Sequence, residues 1–158
     1  MQKRAHGGND ILTGGDGNDT LYGDAYEMHQ NSVGGNDTLN GGSGNDILYG
    51  DILYGDAHTM DGNAQGGDDT LTATNSGENA HLLYCDAFTM NGSAQGGNDT
   101  LTATNSGTQS SSILYGDAGF MSDSARGGSD TLTVTNSGDS SHAWHGCIPS
   151  SSCAWLHR

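Results

Sequence analysis

The sequence is short of basic residues, cysteine and long apolar runs, and each shortage excludes a class of protein. Four Lys and Arg stand against nineteen Asp and Glu, which gives a formal net charge of −15 at pH 7. Nucleic acids and anionic membranes attract basic surfaces, so neither is expected as a partner. No apolar run approaches the ~18 residues of a membrane-spanning helix. The three cysteines are too few and too unevenly spaced for a disulfide framework.

Glycine is abundant instead, and it belongs to an internal repeat. The chain has 27 glycines and only 32% hydrophobic residues, a composition typical of disorder unless repetition organises it. Four segments align without gaps, each running from Tyr-x-Asp-Ala to Gly-Gly-x-Asp-Thr-Leu, and they start at Tyr22, Tyr54, Tyr84 and Tyr115. In every copy a methionine follows the first aspartate by four residues, as Met60 follows Asp56. Chance does not produce such a pattern, so the repeat is real.

The spacing of the leucines predicts the architecture. From Leu12 to Leu132, short steps of 9 to 13 residues alternate with long steps of 18, provided that the duplicated Ile-Leu-Tyr-Gly-Asp of residues 47–56 is counted once. Gly, Asn, Asp and Thr are poor helix formers, whereas short strands that end in Gly-Asp turns fit the pattern. We therefore expect an all-β solenoid of stacked two-strand coils around a double row of leucines. The tyrosines should stack along one outer face, and the methionines should fill a gap beneath an inserted loop.

Two segments fit a nonapeptide of the form Gly-Gly-x-Gly-x-Asp-x-U-x, where U is a bulky hydrophobe. The second begins twenty-seven residues after the first. Their motif positions are Gly14, Gly15, Asp16, Gly17, Asp19, Gly41, Gly42, Gly44 and Asp46. Through these residues and the repeat around them, residues 7–142 resemble the RTX, or haemolysin-type calcium-binding, family.

The resemblance implies a right-handed parallel β-roll in which Ca²⁺ ions lie in rows between the turns of successive coils. In that family aspartate carboxylates and loop carbonyls are the ligands, and the hydrophobe of each motif fills the core. The resemblance also implies an extracellular bacterial protein, exported by type I secretion, in which the repeats have a structural, secretory or adhesive role.

The chemistry of the ion agrees with this implication. Ca²⁺ is a hard cation that takes oxygen ligands, and glycine lets backbone carbonyls turn inward where a Cβ would clash. Aspartates stacked at the ~4.8 Å spacing of neighbouring strands repel by roughly 3 kcal/mol per pair at an effective dielectric constant of about 20. We therefore expect Ca²⁺ binding and folding to be one event, with the metal-free chain largely disordered.

Registering the strands on their leucines predicts two columns of ligands. One edge holds the aspartates of the Gly-Gly-x-Asp loops: Asp10, Asp37, Asp69, Asp99 and Asp130. The opposite edge holds Asp19 and Asp46. It continues with His81 and Ser112, so this second column should lose calcium in the C-terminal half. The aspartates of the Tyr-x-Asp-Ala segments, which either add ligands or only cap a turn, are Asp24, Asp56, Asp86 and Asp117.

The threonines leave an alternative function open. Three segments of the form Thr-Leu-Thr-x-Thr, beginning at Thr70, Thr100 and Thr131, place threonine on one outward face. Such a grid resembles the face of β-solenoid ice-binding proteins, although β-branched residues are also ordinary on exposed strands. The aspartates are committed to calcium, so the chain is not expected to be an enzyme. The alternatives to a calcium module are a calcium-dependent ice-binding protein and the non-catalytic C-terminal part of a secreted enzyme.

The end of the chain departs from the repeat. Residues 143–158 lack Gly-Asp pairs and contain Cys147, Cys153, both tryptophans and the only proline. We expect a calcium-binding roll over residues 7–142 and an irregular C-terminal tail or cap over residues 143–158. A Cys147–Cys153 disulfide and a non-native end are both compatible with this segment. No hydrophobic segment follows the first residues, so no Sec-type signal peptide is expected.

Overall fold

The chain winds into a parallel β-solenoid. The structure, a computed structural model, describes residues 4–16, 19–44, 52–75, 80–108, 110–137, 142–146 and 154–157. Within these residues every regular element is a strand and every strand pair is parallel. Segments such as Thr-Leu-Thr-Ala-Thr favour strands because β-branched residues alternate with apolar ones, and Gly-Asp turns end them. The predicted all-β parallel roll is confirmed.

The described strands form three sheets, and a coil of the chain passes through each sheet in turn. The first sheet contains β1 (Ile11–Asp16), β4 (Thr38–Gly44), β7 (Thr70–Asn75), β10 (Thr100–Asn105), β13 (Thr131–Asn136) and β15 (Ala154–His157). The second contains β2 (Thr20–Tyr22), β5 (Ile52–Tyr54), β8 (Ala80–Tyr84), β11 (Ser111–Tyr115) and β14 (His142–Gly146). The third contains β3 (Ala25–Met28), β6 (Ala57–Met60), β9 (Ala87–Met90) and β12 (Ala118–Met121). This third sheet lies in the segment predicted to be an inserted loop, so a coil has one short strand beyond the predicted pair.

The register places equivalent residues side by side from coil to coil. In the first sheet Leu71 pairs with Leu101. In the second sheet Leu21 pairs with Leu53. The second copy of Ile-Leu-Tyr-Gly-Asp is therefore the one in register with the neighbouring coils, while the first copy, including Leu48, lies outside the described residues.

Two apolar clusters fill the interior of the described part of the chain. The leucine cluster lies between the first two sheets and contains Leu39, Leu71, Ala73, Leu83, Cys85, Leu101, Ala103, Leu114, Leu132 and Val134. The methionine cluster lies under the third sheet and contains Met28, Ala57, Met60, Ala64, Ala87, Met90, Ala94 and Ala118. Met60 and Met90 have no exposed surface, which confirms that methionine fills the space under this segment.

Tyrosine rings form a stack along the second sheet. The ring centroids of Tyr22, Tyr54, Tyr84 and Tyr115 are separated in turn by 5.0, 5.2 and 4.8 Å, and the ring planes are within 7° of parallel. An outer row of rings, Tyr26, His58, Phe88 and Phe120, packs along the stack. Tyr54 and Tyr84 are consequently only 6% and 5% exposed. The predicted stack is confirmed, and its inner ring faces are covered by neighbouring rings.

The last two strands continue the roll beyond residue 142. β14 pairs with β11, and β15 pairs with β13. A capping role for this segment and the boundary at residue 142 stay predictions, and Cys147 and Cys153 lie outside the described residues. No helix in the described part of the chain is long and apolar enough to cross a membrane.

Candidate metal centre

The first predicted column is a ladder of carboxylates joined by backbone hydrogen bonds. At each step the backbone N–H of one aspartate donates to Oδ1 of its counterpart in the next coil. The distances are 2.7 Å from Asp10 to Asp37, 2.7 Å from Asp37 to Asp69, 2.8 Å from Asp69 to Asp99 and 3.1 Å from Asp99 to Asp130. The last four are each 2% exposed, whereas Asp10 in the first coil is exposed. The structure thus brings together all five aspartates predicted for this edge.

The aspartates of the Tyr-x-Asp-Ala segments form a second buried column. In each coil one carboxylate oxygen accepts from the backbone N–H of the second glycine in the Gly-Gly pair, 11 residues further along the chain. The N···O distances are 2.8 Å for Asp24, 3.1 Å for Asp56, 2.8 Å for Asp86 and 2.7 Å for Asp117. The side chains of the last three have no exposed surface. These aspartates therefore hold a turn with one oxygen, which is one of the two predicted roles.

The glycine pairs explain how two columns fit into a narrow interior. A Cβ on Gly66, the first glycine of its pair, would collide with the carboxylates of Asp56 and Asp86. A Cβ on Gly67, the second glycine, would collide with the carbonyl oxygen of Gly35 in the preceding coil. The first glycine therefore makes room for the carboxylates, and the second lets successive coils stack closely.

Burial and mutual repulsion raise the pKa values of these carboxyls. Desolvation is the largest cause, and the pKa is raised to about 6 for Asp37, about 8 for Asp69 and about 7 for Asp130. The facing column adds to the effect, since the charge of Asp24 raises the pKa of Asp37 and that of Asp117 raises the pKa of Asp130. Desolvation and neighbouring aspartates likewise raise the pKa values well above the ordinary range for Asp56, Asp86 and Asp99. The two columns therefore carry negative charge only at a high free-energy cost.

Several buried carboxylate oxygens in these columns have no hydrogen-bond partner. They are Oδ1 of Asp24 and Oδ2 of Asp37, Asp56, Asp69, Asp86 and Asp99. Burying such an atom unsatisfied is costly, and an ion is one of the few groups that can satisfy it. Because the donors are all oxygens, the set fits a hard cation that takes oxygen ligands, such as Ca²⁺.

The first residues of the two nonapeptides lie side by side in the first sheet. Gly15 pairs with Gly42, and the φ angles of 105° and 93° place both in the left-handed region that favours glycine. A Cβ on Gly14 would collide with the carboxylate of Asp19 and with the carbonyl oxygen of Gly41. The carboxylate of Asp19 therefore lies against the paired turns.

The other nonapeptide positions are described less fully. The side chain of Asp16 is exposed at the end of β1. Gly17 and Asp46 lie outside the described residues, and Gly44 is the last residue of β4. The assignment of these positions to a metal site stays a prediction.

The second predicted edge becomes neutral in the C-terminal half. Ser112 lies in register with His81, and burial lowers the pKa of His81 to about 4, so its imidazole is uncharged at neutral pH. Ser112 Oγ donates to Asn105 Oδ1 at 2.8 Å, and Asn105 Nδ2 donates to Asn136 Oδ1 at 2.8 Å. The hydroxyl and amide groups of Ser112, Asn105 and Asn136 thus satisfy one another, whereas the buried His81 Nδ1 has no hydrogen-bond partner. The loss of calcium along this edge stays a prediction.

One buried residue beside the first aspartate column is missing from the predicted set of metal ligands. Cys85 has no exposed surface, and its Sγ lies with one carboxylate oxygen each of Asp99 and Asp130 in a group whose atoms are all within 4.8 Å of one another. The signal in the sequence was Tyr-Cys-Asp-Ala, where the other three copies have Tyr-Gly-Asp-Ala.

Residues 4–25 and 33–52 match the family model of the RTX calcium-binding nonapeptide repeat, in four copies. The chain contains RTX repeats. No curated protein and no solved structure matches the chain. The matched RTX repeats include the start of the first column at Asp10 and Asp37, and the hydrogen-bond ladder carries the same position on to Asp130. RTX repeats bind Ca²⁺, and the oxygen donors of both columns fit that ion.

Proposed function

We propose that the two facing aspartate columns hold a row of Ca²⁺ ions and that the roll folds as this row fills. The first column, from Asp10 to Asp130, and the second, from Asp24 to Asp117, would supply carboxylate oxygens. The nonapeptide loops around Asp19 and Asp46 would add sites at the N-terminal end. The observation that carries the proposal is the set of buried carboxylate oxygens that have no hydrogen-bond partner.

The energetics of the metal-free columns favour coupled folding. A pKa of about 8 for Asp69, against an ordinary value of 3.8, corresponds to several kcal/mol at about 1.4 kcal/mol per pH unit. A typical domain is stable by only about 5–15 kcal/mol, so it cannot offset this cost at several carboxyls together. At neutral pH the metal-free columns must either take up protons or separate. A divalent cation between carboxylates removes the cost without protonation.

We further propose that the module works outside the cell as a structural, secretory or adhesive part of a bacterial protein exported by type I secretion. Extracellular calcium modules have dissociation constants of about 10⁻⁴–10⁻³ M, so sites of that strength would fill after export. The carboxylates that could act as acids or bases are engaged in the columns, and the module is therefore proposed to be non-catalytic. The same proposal covers a module that is the non-catalytic C-terminal part of a secreted enzyme.

A calcium titration followed by far-UV circular dichroism at neutral pH tests the proposal. We expect weak β-signal in EDTA, a cooperative gain of β-structure with Ca²⁺, little gain with Mg²⁺, and reversal by the chelator. Asp56→Asn should raise the calcium midpoint because it neutralises a fully buried carboxylate. Asp61→Asn is the matched control, since Asp61 lies in the same coil but is exposed.

Two results would contradict the proposal. One is a chain that is already rich in β-structure in EDTA at neutral pH and does not respond to Ca²⁺. The other is a pair of variants, Asp56→Asn and Asp61→Asn, that titrate alike, because the second column would then supply no ligand.

Ice binding by the threonine face is a second candidate, and the register of the first sheet favours it. Thr102 pairs with Thr72 on one side and with Thr133 on the other, and the flanking threonines are aligned in the same way. The calcium-loaded chain would then show thermal hysteresis, and Thr102→Lys would abolish it while Thr89→Lys in the third sheet would not. Absence of hysteresis at high protein concentration rejects this function.

A further inference from the structure

The second position of each Tyr-x-Asp-Ala segment faces the first aspartate column. A Cβ on Gly23 would collide with the carboxylate of Asp37, and a Cβ on Gly55 would collide with that of Asp69. Any side chain at this position therefore enters the space beside the first-column carboxylates. Three of the four copies have glycine there, and the third copy has Cys85.

Cys85 places a thiol in this space. Its Sγ and one carboxylate oxygen from each of Asp99 and Asp130 all lie within 4.8 Å of one another, and the three residues are 0%, 2% and 2% exposed. Asp99 Oδ1 accepts the backbone N–H of Asp69 at 2.8 Å, and apart from a side-chain hydrogen bond with the Cys85 thiol the Asp99 carboxylate has no partner at Oδ2. A thiol is a weak hydrogen-bond donor, so a cation would stabilise this buried carboxylate oxygen, the thiol and the second carboxylate better than the thiol alone does.

The sulfur changes which cation suits this step of the ladder. Ca²⁺ is a hard ion that takes oxygen ligands, whereas thiolates select softer ions and Zn²⁺ accepts both thiolate and carboxylate. In the coils that have glycine at this position, the ion would meet oxygen donors only. The coil of Cys85 is therefore chemically different from its neighbours.

We propose that Cys85, Asp99 and Asp130 form a site for a borderline or soft divalent cation of the Zn²⁺ class inside the calcium roll. The inference rests on the proposed function, because Asp99 and Asp130 belong to the first calcium column. On binding, the thiol releases its proton to solvent and a metal–sulfur bond forms, with no change of oxidation state. The remaining coils keep Ca²⁺.

Cd²⁺ is the probe, because a cadmium–thiolate bond has a charge-transfer band in the ultraviolet. The full chain with Cys147→Ser and Cys153→Ser, in which Cys85 is the only thiol, is folded in excess Ca²⁺ and then titrated with Cd²⁺. We expect the band to saturate at one Cd²⁺ per chain and Zn²⁺ to reverse it. Cys85→Gly, which restores the residue of the other three copies, should fold in Ca²⁺ and lose the band.

The outcomes separate this inference from the proposed function, because calcium-dependent folding is recorded before Cd²⁺ is added. A calcium-folded chain without the band, or a band that survives Cys85→Gly, overturns the mixed site and leaves the calcium columns standing. If the chain does not fold with Ca²⁺, the proposed function fails. The same Cd²⁺ titration without Ca²⁺ then tests the Cys85 site. A cadmium–thiolate band that is lost in Asp99→Asn supports the site, and a band that this substitution does not affect overturns it.

Discussion

Asp69→Asn is expected to have opposite effects on the fold with and without calcium. Asp69 is 2% exposed, and its Oδ1 accepts the N–H of Asp37 at 2.7 Å, a bond that an asparagine oxygen can also accept. Its Oδ2 has no hydrogen-bond partner and is the atom that we assign to the cation. The substitution therefore preserves size and the ladder bond but removes the charge.

The magnitude follows from the pKa of Asp69, which is about 8 in the metal-free fold against an ordinary 3.8. At pH 7 the folded chain must take up a proton that the unfolded chain lacks, which costs about 4 kcal/mol at about 1.4 kcal/mol per pH unit. Asparagine removes that cost but buries an amide N–H₂ without a partner, a penalty of about 1–3 kcal/mol. The metal-free fold should therefore gain about 1–3 kcal/mol. With calcium, the loss of a charged ligand should raise the midpoint at least about tenfold.

Calcium titrations followed by far-UV circular dichroism measure the weaker calcium binding of Asp69→Asn. An acid titration in EDTA measures the gain in stability of its metal-free fold, as a shift of the folding midpoint to higher pH. Asp68→Asn is the matched control, because Asp68 is the exposed neighbour at a position where other coils have Asn36 and Asn98. It should titrate nearly like the unmodified chain, because the charge of Asp68 is only a minor cause of the raised pKa of Asp69, behind desolvation. An unchanged calcium midpoint in Asp69→Asn, or an equal shift in Asp68→Asn, would refute the assignment of Asp69 as a ligand.

Three further perturbations test the electrostatics, the glycine pairs and the methionine cluster. The pKa values of the Asp37, Asp130 and Asp69 carboxyls, about 6, 7 and 8, are above the ordinary value of 3.8. The metal-free fold is therefore most stable in acid and should lose β-structure as the pH rises from about 4 to about 8. A circular dichroism signal in EDTA that does not change with pH contradicts this. Gly67→Ala would press on a backbone carbonyl, and we expect a loss of about 1–3 kcal/mol or more in urea unfolding with Ca²⁺, whereas Gly8→Ala, whose Cβ meets nothing closer than 3.4 Å, should cost little. Met60→Ala should lower the free energy of unfolding by about 2–5 kcal/mol in the same assay, and Met121→Ala should lower it less because Met121 is half-buried. Equal losses in the two variants would show that burial does not set the loss of stability.

The first column was predictable because it depends on register alone. Once the Gly-Gly-x-Asp-Thr-Leu segments are aligned on their leucines, any parallel solenoid stacks Asp37, Asp69 and Asp99 at one edge. The methionine and tyrosine rows followed from the same argument, since a residue repeated at a fixed offset must recur at the same place in every coil.

The second column was only half predictable. An aspartate in a Tyr-x-Asp-Ala segment holds a turn in either case, so the motif alone does not show whether the aspartate is also a metal ligand. That depends on where the third sheet places it. That sheet consists of four-residue strands such as Ala57–Met60, too short for alternation to stand out from a loop. Cys85 was missed for a related reason: its neighbours Asp99 and Asp130 come close only when coils stack, and no local spacing reveals that contact.

The coils differ in length, and the difference is confined to one half of each. The hydrogen bond from a second-column aspartate to the following glycine pair always spans 11 residues. The step from one first-column aspartate to the next varies, at 27, 32, 30 and 31 residues. Insertions and duplications have therefore accumulated between a first-column aspartate and the second-column aspartate after it. A foreign peptide displayed on this scaffold belongs in that half of a coil without a nonapeptide, where the chain can lengthen without moving the two aspartate columns out of register.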